Sequence, residues 1–334
     1  MIRQVNTAIP SRSFGRVCII NNMYGLLQYL LISSLEELED TFFFFDDDVP
    51  DVLVSNYKNW TKMYTPTSAV GKLRYLLELR YVVRKKYPFL KTAEIFGQDN
   101  LLLTPPLLAN RQMTVVEDGV ANYTLIPPKR NFRLIKRLVI GPLMSQSSLG
   151  YSTACKKLYL TGMAPIPEVL RPKVEIINLQ ELWNNSDQEK QTEIMRLFSL
   201  SSELLDVFKK TTAILLTQPL SEDGVITEEE KIQIYRQILE KENILLKPHP
   251  RDRTDYRKLF PEVMIMPSFL PIELLSLAGV RFENIYTIFS SSALSFPGNP
   301  EIHFLGTRIH PALVKKYGDI RYIDGKVTKV DMEG

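Results

Sequence analysis

The chain has 334 residues, of which 45% are hydrophobic and 24% are charged, with 41 Lys and Arg against 38 Asp and Glu. This composition is typical of a globular protein with a sizeable core, and it excludes a disordered chain, collagen and a small disulfide-stapled domain. Cys18 and Cys155 show no metal-ligand spacing. The sequence therefore predicts neither a zinc site nor a disulfide framework, and it favours a reducing compartment.

Charge is distributed unevenly along the chain. Residues 1–150 carry 18 Lys and Arg against 13 Asp and Glu, and segment 129–137 alone holds five basic residues, among them Arg130 and Lys136. Such a segment is typical of a solvated helix face or of a contact with an anionic acceptor or lipid surface. No aromatic residues at regular spacing accompany the basic ones, so no nucleic-acid partner is expected.

The N-terminal segment lacks the apolar region of a signal peptide, and no apolar run reaches the length of a membrane span. We therefore expect a cytoplasmic protein. Peripheral attachment to the inner face of the membrane and assembly as a homodimer are left open.

The first half of the chain alternates strand and helix patterns. An apolar run at 16–20 predicts a buried strand, helical spacing follows at 26–38, and a run of phenylalanines predicts a second strand at 41–45. Segment 70–87 has the pattern of a basic amphipathic helix. Further short strands are expected at 94–96, 101–103 and 113–116.

The second half repeats the alternation. A capping box of Thr227 and Glu230 predicts the start of a helix that runs to about residue 240. Other helices are expected at 188–208, 254–260 and 271–278, and strands at 157–160, 174–179, 213–217, 244–247, 263–266 and 284–289. Strands that alternate with helices predict crossover units and parallel sheets.

The length fits two α/β domains, each a doubly wound, Rossmann-like sheet. Gly, Ser and Pro cluster between residues 150 and 172, and we place the boundary there, with domains at 1–155 and 156–334. In such folds the ligand lies at the carboxyl ends of the strands, and a cleft between two domains is the expected site.

Two acidic residues and a glycine follow the strand at 113–116. Partial burial or a like-charged neighbour can raise the pKa of a carboxyl group at such a strand end towards neutrality, as a general base requires. An acidic turn in which Gly119 adopts positive φ is the alternative interpretation of Glu117 and Asp118.

A Lys-Pro-His-Pro segment (Lys247 to Pro250) follows the strand residues 244–246. Prolines on both sides of His249 fix the backbone, so the imidazole is held at a defined angle where it can protonate a departing phosphate. A rigid turn without chemistry is the alternative. His303 lies in an apolar stretch and His310 precedes a proline, so these two histidines are interpreted as structural.

Three serines, Ser290 to Ser292, follow the strand at 284–289, where hydroxyls and the exposed amides of a helix N-terminus can bind a phosphate oxygen. Plain helix capping explains one of them. Asp46 and Asp48 follow the second strand with a spacing by which sugar-nucleotide transferases hold a divalent cation, although a charged turn also accounts for them. P-loop, dinucleotide, hydrolase and zinc-protease motifs are absent.

Taken together, the order acid-acid-Gly (117–119), Lys-Pro-His-Pro (247–250) and Ser-Ser (291–292) resembles the motif set of bacterial sialyltransferases. The closest likeness is to the family that contains lipooligosaccharide sialyltransferases and their capsular relatives. The segments LYLTG (158–162) and LLTQPLS (215–221) extend the likeness over most of the chain.

The resemblance implies an α/β protein of the GT-B type, in which two Rossmann-like domains face a central cleft. It also implies inverting, metal-independent transfer of sialic acid from CMP-sialic acid to a galactose-type hydroxyl, with an α-2,3 linkage expected. The N-terminal domain would bind the acceptor and carry the base, and the C-terminal domain would bind the CMP donor.

The resemblance also implies residue roles. Glu117 would be the general base, supported by Asp118, and His249 would be the general acid. Asn21 and Asn22 would lie on the acceptor side, where the motif departs from a Thr-Pro-type segment. The residues expected to bind the donor are Lys247, Pro248, Pro250, Gln218, Ser290, Ser291, Ser292 and Gly162.

A sugar nucleotide and a glycan acceptor are the implied partners, and no cofactor or metal is expected. Two alternatives stay open on the sequence alone. One is a metal-dependent glycosyltransferase that uses Asp46 and Asp48, and the other is a non-catalytic nucleotide-binding protein of surface-polysaccharide assembly.

Overall fold

The computed structural model describes residues 4–5, 12–125, 147–240, 244–290, 292–293, 296, 298–323 and 326–330. The chain divides into two compact units, Met1–Ser199 and Leu200–Gly334. Ser291 and the basic segment 129–137 lie outside the described residues.

The predicted boundary after residue 155 is wrong, since the division falls after Ser199. The strand Cys155–Leu160 pairs in parallel with the strand Met113–Val115, and Val174–Ile176 pairs in turn with Cys155–Leu160. Backbone hydrogen bonds thus place both strands in the first sheet. The Gly, Ser and Pro cluster connects neighbouring strands of one sheet instead of two domains.

The first unit is built on an eight-stranded sheet with the order β1-β4-β3-β2-β5-β6-β7-β8. All neighbouring strands are parallel except β1 and β4. The strands are β1 (Gln4–Val5), β2 (Arg16–Ile20), β3 (Thr41–Asp46), β4 (Trp60–Met63), β5 (Glu94–Gly97), β6 (Met113–Val115), β7 (Cys155–Leu160) and β8 (Val174–Ile176). The continuous apolar sequence of β3 is explained by its burial on both faces.

Helices cover both faces of this sheet. On one face Tyr29 packs against Phe43 and Phe96, with ring centroids 5.9 and 5.3 Å away. On the other face Tyr75 and Leu79 join the core cluster around β2 and β3. The helices are α1 (Met23–Ile32), α2 (Leu35–Glu39), α3 (Asp51–Val54), α4 (Ala69–Glu78), α5 (Arg84–Lys86), α6 (Thr104–Leu108), α7 (Leu179–Asn184) and α8 (Gln188–Leu197), with a π-helical turn at Leu79–Val83 and 3-10 turns at Pro88–Lys91, Val120–Tyr123 and Glu168–Lys173.

The second unit contains a parallel sheet with the order β10-β9-β11-β12 and an antiparallel pair, β13 and β14. Its strands are β9 (Ala213–Leu216), β10 (Ile244–Lys247), β11 (Asn284–Thr287), β12 (Glu301–Phe304), β13 (Asp319–Ile323) and β14 (Lys326–Val330). Its helices are α9 (Ser202–Lys209), α10 (Glu228–Leu239), α11 (Tyr256–Leu259), α12 (Ile272–Leu277) and α13 (Pro311–Tyr317), with a 3-10 turn at Thr307–Ile309. The predicted parallel α/β sheets are confirmed in both units.

Several predicted elements are shorter than expected because local caps interrupt them. The helix expected at 26–38 is two helices, since Ser34 and Glu37 form a capping box that starts α2. The helix expected at 188–208 is broken at Ser199, which has a φ of 56°. No strand forms at 101–103, and segment 263–266 contributes one bridge, between Leu246 and Ile265.

The capping box of Thr227 and Glu230 starts α10 as predicted. His310 caps α13, and His303 lies on β12, stacked on Tyr286 with ring centroids 4.3 Å apart. Both histidines therefore have structural contacts that agree with their interpretation from the sequence. Among the described residues, no helix is long and apolar enough to cross a membrane.

Candidate active site

Glu117 lies just past the carboxyl end of β6, and its side chain is fully buried. Gln28 on α1 holds its backbone from both sides. The Gln28 Oε1 atom accepts a hydrogen bond from the Glu117 N–H at 3.1 Å, and the Gln28 Nε2 atom donates to the Glu117 carbonyl at 3.4 Å. Gln28 is itself buried, so this amide fixes the position of the acidic motif on the sheet.

The Glu117 carboxylate is held by hydroxyl and amide donors from two neighbouring segments. Its Oε2 atom accepts from the Thr161 N–H at 2.6 Å, from the Thr161 hydroxyl at 2.9 Å and from the Tyr123 hydroxyl at 3.2 Å. Thr161 directly follows β7, and its hydroxyl lies 3.2 Å from the Tyr24 hydroxyl. These contacts fix the orientation of the carboxylate at the shared carboxyl edge of β6 and β7.

Asp118 is partly exposed and is surrounded by side-chain amides. Its Oδ1 atom accepts from Asn22 and from Gln98, and its Oδ2 atom accepts from Asn100 at 2.9 Å. Burial raises the pKa of Asp118, while the hydrogen bonds from Asn100 and Asn22 lower it. The two adjacent acids thus have different surroundings, one buried among hydroxyls and one half-exposed among amides.

The Asn21-Asn22 turn lies beside these acids, at the carboxyl end of β2. Asn22 is the N-cap of α1, and its Oδ1 atom accepts from the Gly25 N–H at 2.7 Å while its Nδ2 atom donates to Asp118. Asn21 donates its backbone N–H to Gln98 Oε1 at 2.9 Å. The structure therefore brings both predicted acceptor-side asparagines next to the acidic motif.

Gly119 has a φ of 110° and a ψ of −152°, a conformation that only glycine adopts readily. After this turn the chain forms the 3-10 segment Val120–Tyr123, and the Tyr123 hydroxyl donates to the Glu117 carboxylate. The Asn122 Oδ1 atom fixes the same turn by accepting from the Asp118 N–H at 2.6 Å. The glycine of the motif is thus needed for the geometry of the site.

In the second unit, His249 follows β10 and its ring is oriented by backbone contacts. The Arg251 N–H donates to His249 Nδ1 at 3.1 Å, and the His249 N–H donates to the Thr217 hydroxyl at 3.1 Å. Because Nδ1 accepts, the neutral ring carries its proton on Nε2, which can donate to a ligand oxygen. Burial, and then the charges of Arg251 and Lys247, lower the pKa of His249.

A buried ion-pair network lies under the His249 turn. Lys231 has no exposed surface, and its Nζ atom contacts Glu222 and Asp252 at 3.0 Å each. The other Asp252 oxygen accepts from the Thr217 hydroxyl at 2.6 Å and from the Tyr256 hydroxyl at 2.7 Å. The Thr217 hydroxyl therefore connects this network to the His249 backbone.

Lys247 makes a hydrogen bond to the backbone of the second unit. Its Nζ atom donates to the Ser268 carbonyl at 2.8 Å, and burial, opposed by Glu273, lowers the pKa of Lys247 to about 8. One of the three N–H donors of the ammonium group thus goes to a backbone oxygen. Of the flanking prolines, Pro248 is buried and Pro250 is exposed.

Gln218 ties the carboxyl ends of two strands together. Its N–H donates to the Tyr235 hydroxyl at 2.8 Å, and its Oε1 atom accepts from the Phe289 N–H at 3.2 Å. Ser290 comes directly after Phe289, and its N–H donates to the Thr287 hydroxyl at 3.0 Å. Ser292 is exposed. These residues lie on the same edge of the second sheet as the His249 turn, because β9, β10 and β11 are parallel.

Gly162 belongs to the first unit, beside the acidic motif. It has a φ of 77°, and its N–H donates to the Tyr123 hydroxyl at 2.9 Å, so it helps to position the hydroxyl that contacts Glu117. The sequence reasoning grouped Gly162 with the donor-binding residues. The structure groups it with Glu117, because β7 is part of the first sheet.

Asp46, Asp47 and Asp48 form a turn whose carboxylate oxygens lie within 4.8 Å of one another. Thr65 organises this turn, since its hydroxyl donates to Asp46 at 3.2 Å and its N–H donates to Asp47 at 3.3 Å. Burial, and then the charge of Asp47, raise the pKa of Asp46 to about 6. The three acids have the donor type that a divalent cation prefers, but hydrogen bonds from Thr65 already hold Asp46 and Asp47 in this turn.

A cavity of about 440 Å³ lies at the amino end of β3, lined by Thr41, Tyr57 and Arg196 among others. None of the predicted site residues lines it. The residues that sequence reasoning missed are Gln28, Tyr123 and Thr161 around Glu117, and Thr217, Lys231 and Asp252 around His249. Thr161 and Thr217 follow directly on β7 and β9, a strand-end position that can indicate such residues.

The two parallel α/β sheets, with polar residues gathered at the carboxyl edge of each, define a protein of the GT-B class. Solved structures support this fold. An α/β-galactoside α-2,3-sialyltransferase from Photobacterium phosphoreum matches with a TM-score of 0.53 at 10% identity, covering 91% of this chain and 95% of that chain. A 2,6-sialyltransferase from Photobacterium sp. JT-ISH-224, solved with CMP and lactose, matches with a TM-score of 0.55 at 13% identity, covering 90% and 75%.

The chain belongs to glycosyltransferase family 52, whose model matches residues 95–313. A relative in Haemophilus influenzae, described as an uncharacterized protein, is 33% identical over 316 residues, which is 92% of this chain and 99% of the relative. The predicted resemblance to bacterial sialyltransferases is thereby confirmed at the level of the family. The chain is a glycosyltransferase, so the non-catalytic nucleotide-binding alternative is set aside.

Proposed function

We propose that the protein is an inverting sialyltransferase that moves sialic acid from CMP-sialic acid to a galactose-terminated acceptor. The proposal rests on the hydrogen bonds that orient two side chains, Glu117 and His249. The Glu117 carboxylate is fixed by Thr161 and Tyr123, and the His249 ring is held so that Nε2 carries the proton. Family membership and the CMP and lactose in the structure of a protein with the same fold agree with this choice of substrates.

The base side of the reaction uses Glu117. The acceptor hydroxyl gives its proton to the Glu117 carboxylate while its oxygen forms a bond to the anomeric carbon of the donor. Because Glu117 has no exposed surface, side chains around it must shift before an acceptor hydroxyl can reach the carboxylate. A positioned base of this kind contributes typically ~10²- to 10⁴-fold to the rate.

The acid side uses His249. As the bond between the anomeric carbon and the phosphate oxygen breaks, Nε2–H donates to that oxygen and stabilises the charge that CMP acquires. In the free protein the lowered pKa of His249 favours the neutral form of the ring. A bound phosphate anion works in the opposite direction, because a nearby negative charge favours the imidazolium form.

Asp118 is a second candidate for the base. It is partly exposed, and burial raises the pKa of its carboxyl group, whereas Glu117 is covered. Glu117→Gln and Asp118→Asn form a matched pair that separates the roles. We expect Glu117→Gln to lower turnover by ~10²-fold or more, with a smaller effect of Asp118→Asn. The reverse order would assign the base to Asp118.

The donor-side residues proposed for the CMP phosphate are Ser290, Ser291, Ser292 and Gln218. A single phosphate requires less positive charge than a diphosphate, so hydroxyls, amides and a histidine can replace a metal ion. We propose that the reaction is metal-independent and forms an α-2,3 linkage. Metal-dependent transfer by Asp46 and Asp48 is the competing mechanism.

One experiment tests the function directly. The purified chain is incubated with lactose and a panel of nucleotide sugars in excess EDTA, and the released nucleotide and the product linkage are identified. Release of CMP that depends on lactose supports the proposal. Release of a nucleoside diphosphate, or turnover only after a divalent cation is restored, contradicts it.

A further inference from the structure

Thr217 holds the backbone on both sides of Pro248. It directly follows β9 and is buried. Its N–H donates to the Lys247 carbonyl at 3.1 Å, and its hydroxyl oxygen accepts from the His249 N–H at 3.1 Å. Pro248 has no N–H of its own. Thr217 therefore continues the pairing of β9 with β10 into the turn that carries His249.

The direction of the Thr217 hydroxyl is set by Asp252. A hydroxyl has a single O–H donor, and that of Thr217 donates to the Asp252 Oδ2 atom at 2.6 Å. Because the proton is used there, the hydroxyl oxygen faces the His249 N–H as an acceptor. The carboxylate thus decides which role the hydroxyl has towards His249.

The Asp252 carboxylate is itself fixed by donors on both oxygens. Its side chain has no exposed surface. Besides Thr217, Oδ2 accepts from the Tyr256 hydroxyl at 2.7 Å, while Oδ1 accepts from Lys231 Nζ at 3.0 Å and from the Thr254 N–H at 3.2 Å. These contacts occupy the acceptor positions of both oxygens, so the carboxylate is a rigid anchor for the Thr217 hydroxyl.

The same turn orients the His249 ring. The Asp252 N–H donates to the His249 carbonyl at 2.9 Å, and the Arg251 N–H between them donates to His249 Nδ1 at 3.1 Å. The contact to Nδ1 is made by the backbone, so it depends on the shape of the turn. Thr217 and Asp252 hold that shape from the two ends of the segment 249–252.

The pKa of His249 measures whether the turn keeps its place. Burial, and then the charges of Arg251 and Lys247, lower this pKa, while Asp252 and Asp223 raise it. Burial is the largest of these effects, and a displaced turn would expose the ring to water. A shifted turn should therefore bring the pKa of His249 closer to its ordinary value.

We propose that Thr217 is a positioning residue for His249, with a hydroxyl that Asp252 directs and that holds the His249 backbone so that the ring presents Nε2 to the donor. The inference rests on the proposed role of His249 as the general acid. It adds a residue that acts on the reaction through His249 and not through the substrate.

Thr217→Val tests the proposal because it keeps the branched shape of the side chain and the N–H bond to Lys247. It places a methyl group against the His249 N–H, which then has to move to find an acceptor. We expect kcat to fall roughly 10- to 100-fold with little change in the KM for the donor. In NMR titrations of the free protein, the pKa of His249 should rise towards ~6.5.

Thr217→Ser is the conservative variant. The serine hydroxyl can donate to Asp252 and accept from the His249 N–H as the threonine hydroxyl does. Both kcat and the pKa of His249 should therefore stay close to those of the wild type.

Tyr256→Phe is the matched control. It removes a hydroxyl that donates to the same Asp252 oxygen as the Thr217 hydroxyl, at nearly the same distance, but that lies on Asp252 and not on the His249 backbone. We expect a loss of thermal stability similar to that of Thr217→Val. The kcat and the pKa of His249 should be close to those of the wild type.

Two measures keep the test decisive. If Thr217→Val does not fold, Thr217→Ala replaces it, because the smaller side chain leaves room for a water molecule beside the His249 N–H, and both readouts should change in the same direction. The pKa of His249 needs no substrate. It therefore tests the positioning role even if CMP-sialic acid is not the donor, in which case kcat is measured with the nucleotide sugar that is turned over.

Three results overturn the proposal. The first is a folded Thr217→Val protein with the kcat and the His249 pKa of the wild type. The second is an equal effect of Tyr256→Phe on both readouts, which would assign the effect to the buried network as a whole. The third is a Thr217→Ser protein that behaves like Thr217→Val.

Discussion

Replacing Asp46 by asparagine should stabilise the protein at neutral pH. The Asp46 side chain is 8% exposed, and burial raises its pKa from 3.8 to about 6. The folded state thus binds a proton more tightly than the unfolded state. The contribution of Asp46 to the free energy of unfolding is highest below pH 3.8, falls as pH rises towards 6, and is then constant.

The size of the stabilisation by Asp46→Asn follows from the shift in the pKa of Asp46. Two pKa units correspond to about 2 to 3 kcal/mol of unfolding free energy at pH 8. Asparagine cannot ionise, and its Oδ1 atom can still accept the hydrogen bond that the Thr65 hydroxyl now gives to Asp46. Asp46→Asn should therefore unfold at higher urea concentration than the wild type at pH 8, and at a similar concentration at acid pH.

Urea unfolding of the two proteins across this pH range measures the difference. Asp48→Asn is the matched control, because Asp48 is exposed and should change stability by less than about 0.5 kcal/mol. Turnover in EDTA is measured on the same samples. If Asp46→Asn is destabilising at pH 8, or abolishes turnover, the reasoning is refuted and Asp46 has a partner such as a metal ion.

Three further predictions concern the turns that hold the site. Lys231→Met should destabilise the second unit by about 3 to 5 kcal/mol, because it leaves the Asp252 carboxylate buried without its cation, as thermal unfolding will show. His249 should titrate below the usual pKa of ~6.5 in the free protein and at higher pH with CMP bound, which NMR can follow because there are only three histidines. An unchanged titration with CMP would exclude contact with the phosphate. Gly119→Ala should lower the free energy of unfolding by about 1 to 3 kcal/mol. Backbone strain alone would cause this loss, since a Cβ there meets no atom within 4 Å. An unchanged unfolding midpoint would refute the prediction.

The positions of the acids and of His249 were predictable because strand ends are visible in the sequence. Continuous apolar runs such as β3 and β9 give the strands, and in parallel sheets the residue after a strand lies at one common edge. That argument places Glu117 after β6 and His249 after β10, as the structure does.

The contacts around those residues were not predictable, because they join segments far apart in the chain. Gln28 meets Glu117 across 89 positions, and Thr217 meets Asp252 across 35. Lys247 was assigned to the donor by its place in the motif, but its hydrogen bond to Ser268 depends on tertiary packing. The domain boundary was misplaced for a similar reason, since strand pairing and not local composition decides which sheet β7 joins.

The Asn22 side chain makes two hydrogen bonds. Its Oδ1 atom accepts from the first turn of α1, and its Nδ2 atom donates to the Asp118 carboxylate. Proton uptake by Asp118 weakens the second bond, so the acidity of the motif and the integrity of a helix terminus are thermodynamically coupled. A serine or aspartate at this position would satisfy the helix and yet remove one of the three amide donors of Asp118, leaving those of Gln98 and Asn100. A change in this turn made to tune acceptor chemistry would therefore also change the hydrogen bonding, and with it the pKa, of Asp118.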